Sequence, residues 1–310
     1  MRTSLFDIQI NGFAGVDFQS ENLDVAEVRR AVDALAAHET LRFFPTLITG
    51  PLEKLEAKFA QFENIRRQDS VVREAACGYH LEGPWLSCSP GFHGAHNPQY
   101  MGPPDYDAFQ RLQAAAGGNI RLLTVAPEHP GSAEFIRKVV ADSVAVSLGH
   151  TDAQDADIDA AVDAGARFCT HLGNGVPEMM HRHNNVIQRL LARDDLTAFF
   201  IPDGIHLPPF VLKNLFRAKP EGTVLFTTDC MAAAGAPNGT YRIGEMELYV
   251  GSDRVVRQPG GKGFAVSALT PDEGVANVAR WLGTGEKKAR ALFSTDVASA
   301  FGISLPQIPS

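Results

Sequence analysis

Five acidic or imidazole side chains in this sequence have the chemistry of a metal-assisted hydrolytic centre. Glu82, His150 and His171 provide one carboxylate and two imidazoles, a ligand set that leaves a fourth position on a catalytic Zn²⁺ ion open for water. Asp229 is a further carboxylate that could take a proton from that water and return it to a leaving amine. His206 could polarise a scissile carbonyl. Together the five residues predict hydrolysis at one divalent ion, which we expect to be zinc.

The elements that must position these residues are short β-strands. Eight apolar runs typical of strands recur along the 310 residues, and amphipathic segments separate most of them. Strand–helix alternation predicts a parallel sheet, and eight repeats predict a closed (β/α)₈ TIM barrel of the α/β class. The active-site side chains of such barrels lie at the carboxyl ends of the strands. The predicted strands cover residues 5–10, 43–48, 76–81, 120–126, 144–148, 167–172, 197–202 and 223–228.

The rest of the pattern predicts a single barrel domain over residues 1–310. Residues 241–257 alternate like paired strands around a turn at 251–253, which predicts a β-hairpin insertion at about 240–258. An open, doubly wound sheet would need a glycine-rich phosphate loop after its first strand, and residues 11–15 match that fingerprint poorly. The predicted helices cover residues 25–37, 52–65, 106–116, 134–142, 156–164, 209–217, 271–282 and 286–301.

The composition indicates which kinds of partner the protein can bind and which cell compartment it occupies. The formal net charge is −8, from 28 basic and 36 acidic residues without a basic run, so we expect no nucleic-acid or membrane partner. No apolar run is long enough to span a bilayer, and the first residues already resemble a strand rather than a signal peptide. The scattered cysteines indicate neither a disulfide framework nor a thiolate zinc site, which favours the cytoplasm. They are Cys77, Cys88, Cys169 and Cys230.

Each site residue also has an ordinary structural interpretation. A lone histidine at a strand end is more often a hydrogen-bonded structural residue than a ligand, and an aspartate there often caps a helix. Five such residues on one predicted rim favour a functional site. His80 should share the face of Glu82 and support it. His181 and His183 lie in a polar loop and are expected at the surface.

The motifs around these residues resemble the N-acetylglucosamine-6-phosphate deacetylase family of the amidohydrolase superfamily. Leu-Glu-Gly-Pro at 81–84 and Thr-His-Leu-x-Asn at 170–174 are distinctive, whereas Asp-Gly-x-His at 203–206 and Thr-Asp at 228–229 are weaker. The matching segments keep the family's order across nearly the whole chain. They are 7–12, 44–49, 80–86, 94–98, 125–128, 149–151, 170–174, 203–206 and 228–229.

The resemblance implies a role for each matching position. Glu82, His150 and His171 would bind zinc, and Asp229 would be the catalytic acid and base. In the family, a phosphate-contacting arginine comes from the partner subunit, which implies a homodimer. The implied substrate-binding residues are His206 at the acyl group, Asn174 and Gly175 through the loop backbone, His96 and Arg182 at the phosphate, and Ala95 beside His96.

Departures from the family pattern affect the metal count and the substrate. Gln9 and Asn11 stand where many superfamily members have a His-x-His pair, which favours a single metal. Residues 174–185 differ in a substrate-facing loop, and the chain is expected to lack the family's small β-sandwich domain. The implied reaction removes the acetyl group from N-acetylglucosamine-6-phosphate or a close relative.

Two other functions stay open at this point. One is a related amidohydrolase with another amide, lactone or amine substrate; a phosphosugar requires His96 and Arg182 to converge on one anion. The other is a non-enzymatic sugar-binding barrel, which predicts a broken metal set or a missing acid/base residue.

Overall fold

Eight parallel strands form a barrel in the computed structural model, which describes residues 1–258 and 265–309. Each strand pairs with the next along the chain, as the strand–helix alternation predicts. The predicted α/β barrel is therefore confirmed. The strands are β1 Leu5–Ile10, β2 Thr40–Ile48, β3 Tyr79–Glu82, β4 Ile120–Val125, β5 Ala145–Leu148, β6 Phe168–Cys169, β7 Thr197–Phe200 and β8 Val224–Phe226.

Polar contacts close the barrel between β1 and β8. Ile10 and Cys230 form a parallel bridge, and the Asn11 backbone N–H donates to the Cys230 carbonyl at 2.7 Å. The buried Asp7 carboxylate accepts hydrogen bonds from the Thr228 backbone N–H at 3.0 Å and the Thr228 hydroxyl at 2.6 Å. These bonds connect the ends of the sheet at the rim where the site residues lie.

Helices cover the outside of the barrel, and the eight predicted segments all lie close to observed helices. The short helices Ser70–Ala75 and Val186–Leu191 were not predicted. The first helix begins at an Asp24–Glu27 capping box, and the ninth begins with Pro271 after a Thr270 capping box. Within the described residues, no helix is both long and apolar enough to cross a membrane. The helices are α1 Val25–Ala37, α2 Leu52–Gln68, α3 Ser70–Ala75, α4 Tyr106–Ala115, α5 Ser132–Ala141, α6 Asp155–Ala164, α7 Val186–Leu191, α8 Pro209–Ala218, α9 Pro271–Leu282, α10 Glu286–Ala291 and α11 Thr295–Phe301.

The last predicted helix, 286–301, is in fact two helices with a break at residues 292–294. The Phe293 carbonyl accepts from the Phe6 N–H at 2.9 Å, and the Leu292 carbonyl accepts from the Phe226 N–H at 3.2 Å. These carbonyls bond to β1 and β8 instead of continuing the helical ladder. The break therefore attaches the C-terminal helices to the barrel strands.

The predicted hairpin is a small antiparallel sheet with three strands. Its strands are β9 Gly239–Ile243, β10 Met246–Val250 and β11 Val256–Arg257. The turn between β9 and β10 lies at Gly244 and Glu245, so the predicted turn at 251–253 belongs to the second connection. Asp17 accepts from the Gly244 N–H at 2.8 Å and joins this sheet to the loop after β1.

An aromatic cluster fills the end of the barrel opposite the site residues. The Phe301 ring of α11 lies with its centroid 5.4 Å from Phe44, 5.2 Å from Phe168, 6.2 Å from Phe6 and 6.4 Å from Phe199. Four strands thus contribute one ring each to a plug that the last helix completes. Ring pairs at these separations are favourable beyond the apolar area that they bury.

Replacing this plug should destabilise the protein strongly. We expect Phe301→Ala to lower the free energy of unfolding by about 3–5 kcal/mol, because it opens a cavity among rings that cannot collapse into it. Urea denaturation of the chelator-treated protein measures the change. Phe210→Ala is the matched control, since Phe210 is 70% exposed and the loss should stay below about 0.5 kcal/mol. Equal losses in the two variants would contradict the role of the plug.

Candidate active site

The predicted site residues meet at the carboxyl ends of their strands. Glu82 ends β3, His150 and His171 each follow the last residue of β5 and β6 by two positions, and Asp229 follows β8. His150, His171 and Asp229 have left-handed backbone conformations, with φ of 51°, 28° and 50°. Such conformations are costly for residues other than glycine and occur preferentially at functional sites. Here they end the strand alternation at the rim of the barrel.

The Glu82 carboxylate is the centre of the cluster. His171 Nε2 lies 3.0 Å and His150 Nε2 lies 3.3 Å from its Oε1 atom, while His96 Nε2 lies 3.6 Å from Oε2. All four side chains are buried. Three imidazoles therefore surround one carboxylate that water scarcely reaches.

A hydrogen bond to the Phe92 carbonyl determines which ring nitrogen of His150 carries the proton. Its Nδ1 lies 2.8 Å from the Phe92 carbonyl, which can only accept, so Nδ1 carries the proton. The Nε2 lone pair then faces Glu82 Oε1, another electron-rich atom. Either a second ring proton on Nε2 or a metal cation between the two atoms removes this repulsion.

The cluster of Glu82, His150 and His171 therefore fits a divalent metal ion. One ligand atom from each residue lies within 4.8 Å of the other two. A carboxylate oxygen and two imidazole nitrogens form a common catalytic ligand set. Glycines allow the loops to pack tightly around it: a Cβ atom on Gly175 would lie 2.7 Å from His150 Nδ1, and one on Gly94 would lie 2.9 Å from His150 Cε1.

The electrostatics of the cluster keep Glu82 ionised. Burial opposes its ionisation, but hydrogen bonds from His150 and His171 outweigh burial and hold the pKa of Glu82 well below its usual range. Burial, followed by the charge of His150, lowers the pKa of His96 to about 3. His96 is therefore a neutral ring beside the carboxylate.

Asp229 differs from Glu82 in its protonation. Burial raises the pKa of Asp229 to about 8, against the opposing effect of His171. Its Oδ1 accepts a hydrogen bond from Asn11 Nδ2 at 2.8 Å. Two carboxylates in one site thus have pKa values shifted in opposite directions, a pattern typical of acid–base chemistry.

His206 is held by the aspartate three residues before it. Its Nδ1 lies 2.6 Å from Asp203 Oδ2, and the backbone N–H groups of Ile205 and His206 donate to Asp203 Oδ1 at 2.8 and 2.9 Å. The Asp-Gly-x-His motif therefore builds a compact turn. This turn presents His206 to the cavity beside the cluster.

A cavity of about 630 Å³ opens over the cluster. Most of the predicted substrate-binding residues line it, but Arg182 is not among the lining residues. Arg182 is exposed in a loop with the equally exposed His181 and His183. His96 points at Glu82, so within one chain His96 and Arg182 do not converge on an anion. The predicted residues that line the cavity are Ala95, His96, Asn174, Gly175 and His206, together with Glu82, His150, His171 and Asp229.

Several residues support the site through contacts that the sequence-based prediction did not assign. The Gln9 amide donates to Glu82 Oε2 at 3.1 Å, and Thr49 Oγ1 lies 2.9 Å from His96 Nδ1. Asn11 and Asp203 hold Asp229 and His206 in the same way. The sequence feature that could have identified these residues is their position at strand ends or inside the motifs. Gln9 and Asn11 therefore support Glu82 and Asp229 through hydrogen bonds.

Known deacetylases are similar to this chain in sequence and in fold. No model of a known protein family matches the chain. It is 38% identical over 253 residues to the N-acetylglucosamine-6-phosphate deacetylase of Bos taurus, across 79% of this chain and 60% of that protein. It is 30% identical to the Bacillus subtilis enzyme of that name, across 96% of this chain and 74% of that protein. The chain therefore spans about 60% of the bovine relative.

Two further similarities concern the substrate and the fold. An Escherichia coli N-acetylgalactosamine-6-phosphate deacetylase is 30% identical, across 96% of this chain and 77% of that protein. A mutant of the Mycobacterium smegmatis N-acetyl-D-glucosamine-6-phosphate deacetylase, solved in complex with N-acetyl-D-glucosamine-6-phosphate, superposes with a TM-score of 0.87 at 28% identity. That match covers 98% of this chain and 78% of the other.

The geometry predicts one tightly bound divalent metal per chain. Chelator-stripped protein titrated with Zn²⁺ should reach one equivalent by metal analysis, because Gln9 and Asn11 are poor ligands for a second ion. His171→Ala should lower occupancy, since it leaves two protein ligands. His181→Ala, at an exposed position, should bind as the parent does. Two equivalents, both needed for activity, would contradict this prediction.

Proposed function

We propose that this chain, which belongs to the N-acetylglucosamine-6-phosphate deacetylase family, hydrolyses the acetamido group of an N-acetylhexosamine 6-phosphate. The observation that carries the proposal is the buried Glu82, His150 and His171 set with Asp229 on the same cavity. A barrel that only bound sugar would have no need of this intact set. The cavity and the similarity to deacetylases for two hexosamines support an amino sugar as the substrate.

We assign the metal site to Zn²⁺ held by Glu82, His150 and His171. Mixed carboxylate and imidazole ligands suit zinc among the divalent ions. When bound, the ion supplies Lewis acidity to the attacking water and to the amide carbonyl. Gln9 and Phe92 orient two of the ligands from behind, through the Glu82 carboxylate and the His150 ring.

Asp229 moves the proton between the two halves of the reaction. Its carboxylate accepts a proton from water as the water oxygen bonds to the acetyl carbon. It then gives that proton to the amide nitrogen as the carbon–nitrogen bond breaks, which releases the free amine and acetic acid, and the acid ionises to acetate near neutral pH. A pKa raised by burial makes the protonated form accessible, which suits the second step.

The other cavity residues orient the substrate. His206, fixed by Asp203, is placed to hydrogen-bond the acyl oxygen as charge develops there. Asn174 and Gly175 offer loop backbone to the sugar. Arg182 is exposed and lies off the cavity of its own chain, which is consistent with delivery to the phosphate bound by a partner chain. We therefore propose a homodimer.

We also propose that the reaction takes place in the cytoplasm. The four cysteines are unpaired, which is consistent with a reducing compartment.

The acid–base role predicts the behaviour of Asp229→Asn. Turnover should fall by roughly 10²–10⁴, because an amide cannot accept the proton or return it. Zinc occupancy and the unfolding midpoint should change little, since asparagine is nearly isosteric with aspartate. Steady-state kinetics with parallel metal analysis measure both effects. Near-normal turnover at full occupancy would require another proton carrier, with His206 the first to test.

A substrate comparison tests the proposed activity itself. The zinc-loaded protein should release acetate from N-acetylglucosamine 6-phosphate or N-acetylgalactosamine 6-phosphate, and more slowly from the unphosphorylated sugars. Acetate release measured by a coupled assay gives kcat/KM for each of the four. Activity only on unrelated amides, lactones or amines would overturn the amino-sugar assignment and favour the alternative amidohydrolase.

The proposed dimer makes a separate prediction. Light scattering should give twice the chain mass of 33.5 kDa at micromolar concentration. Mixing Arg182→Gln chains with chains inactivated by Asp229→Asn should restore part of the phosphosugar activity, because the mixed dimer has one complete site. A monomer in solution, or no recovery on mixing, would remove Arg182 from the phosphate site.

A further inference from the structure

A second cavity of about 650 Å³ adjoins the catalytic cavity. It lies between the loop after β1, the start of α2 and the β9–β10 turn. Three residues, Ile48, Ala95 and Ile243, line both cavities. The mechanism proposed above uses none of the polar groups in the second cavity.

The junction between the cavities lies beside the metal ligands. Ile48 pairs with Glu82 in the register of β2 and β3, and Ala95 directly precedes His96. The second cavity is therefore adjacent to the region that a substituent close to the acetamido group would occupy. In a 2-acetamido sugar the substituents on C1 and C3 are both adjacent to the acetamido group on C2. C1 is the candidate for a further sugar, because it is the anomeric carbon that forms the glycosidic bond.

The charges of the second cavity nearly balance. Lysine and arginine side chains from α2 and β9 line it together with a similar number of carboxylates, so it does not select an anion or a cation. Mixed donors and acceptors suit hydroxyl groups, because each hydroxyl donates one hydrogen bond and accepts others. The charged lining residues are Lys54, Lys58, Arg242, Asp17, Glu21, Glu27 and Glu245.

Some of these groups are already paired and others are not. Lys54 lies 2.9 Å from Glu21, and Asp17 accepts from the Gln19 and Gly244 N–H groups at 2.9 and 2.8 Å. Within the described ranges, Lys58 and Arg242 form no ion pair with a carboxylate at 4.0 Å or less. The half-buried Lys58 in particular retains donors for a ligand.

Tyr100 adds a half-buried aromatic side chain to the same cavity. An aromatic face beside hydrogen-bonding groups suits a sugar ring, which has apolar C–H faces and a polar edge. We propose that the second cavity binds another sugar ring, linked to C1 of the N-acetylated ring. The chain then deacetylates a glycosidically extended amino sugar, an inference that rests on the proposed deacetylase function.

The test compares a 6-phosphorylated N-acetylhexosamine with the same sugar linked through C1 to a second hexose. Both are assayed for acetate release with the parent protein, Lys58→Gln and Arg242→Gln. Lys287→Gln is the matched control, because Lys287 is an exposed lysine of α10 outside both cavities. Isothermal titration calorimetry with the disaccharide, on Asp229→Asn protein with and without Lys58→Gln, measures binding without turnover.

The expected result is a lower KM for the disaccharide than for the monosaccharide. Lys58→Gln should raise the disaccharide KM about tenfold, the loss of one hydrogen bond from a charged donor, and leave the monosaccharide KM unchanged. If only the monosaccharide is hydrolysed, and the disaccharide neither reacts nor inhibits, the second cavity does not bind a sugar ring. The proposed deacetylase function is then retained. If neither sugar is hydrolysed, the proposed function fails. In that case calorimetry still tests the second cavity. Disaccharide binding that Lys58→Gln weakens supports a sugar-binding role for the cavity, and no disaccharide binding overturns that role.

Discussion

The burial of the Glu82 carboxylate is the constraint on which this structure depends. A buried charge is tolerated only when nearby groups compensate it, and three imidazoles with the Gln9 amide surround this one. The compensating groups come from β1, from the loop after β3, and from the residues that directly follow β5 and β6. They can meet only if a closed barrel brings the ends of those strands to one rim. The cluster therefore requires the closed barrel.

The closure of the barrel also positions Asp229. Asp7 and Asn11 of the first strand region bond to residues 228–230, across more than two hundred positions of sequence. Ser267 bonds to the same segment from its other side. The Ser267 N–H donates to the Asp229 carbonyl at 3.0 Å, and the Ser267 hydroxyl donates to the Thr228 carbonyl at 2.6 Å. The segment that holds the proton carrier is therefore bonded on both sides, which limits its movement relative to the metal ligands.

The two ends of the barrel separate stability from chemistry. One end is a plug of phenylalanine rings completed by α11, and its apolar burial does not involve the ligands. The other end has buried polar groups, left-handed residues and close glycine contacts around His150. Residues 174–185 lie at the polar end and contribute no residue to the plug, so a substitution in this loop leaves the plug intact.

The sequence by itself determined the strand order, most helix bounds and the identity of the cluster residues. Apolar periodicity reports local burial, and in a parallel barrel every strand end reaches the same rim. Tertiary structure alone decided which side chains face one another there. His96 turning to Glu82, Asp203 holding His206 and the break at 292–294 depend on bonds between distant segments, which local patterns do not encode. The second cavity arises in the same way, because its walls come from segments far apart in the sequence that meet only after the barrel has closed.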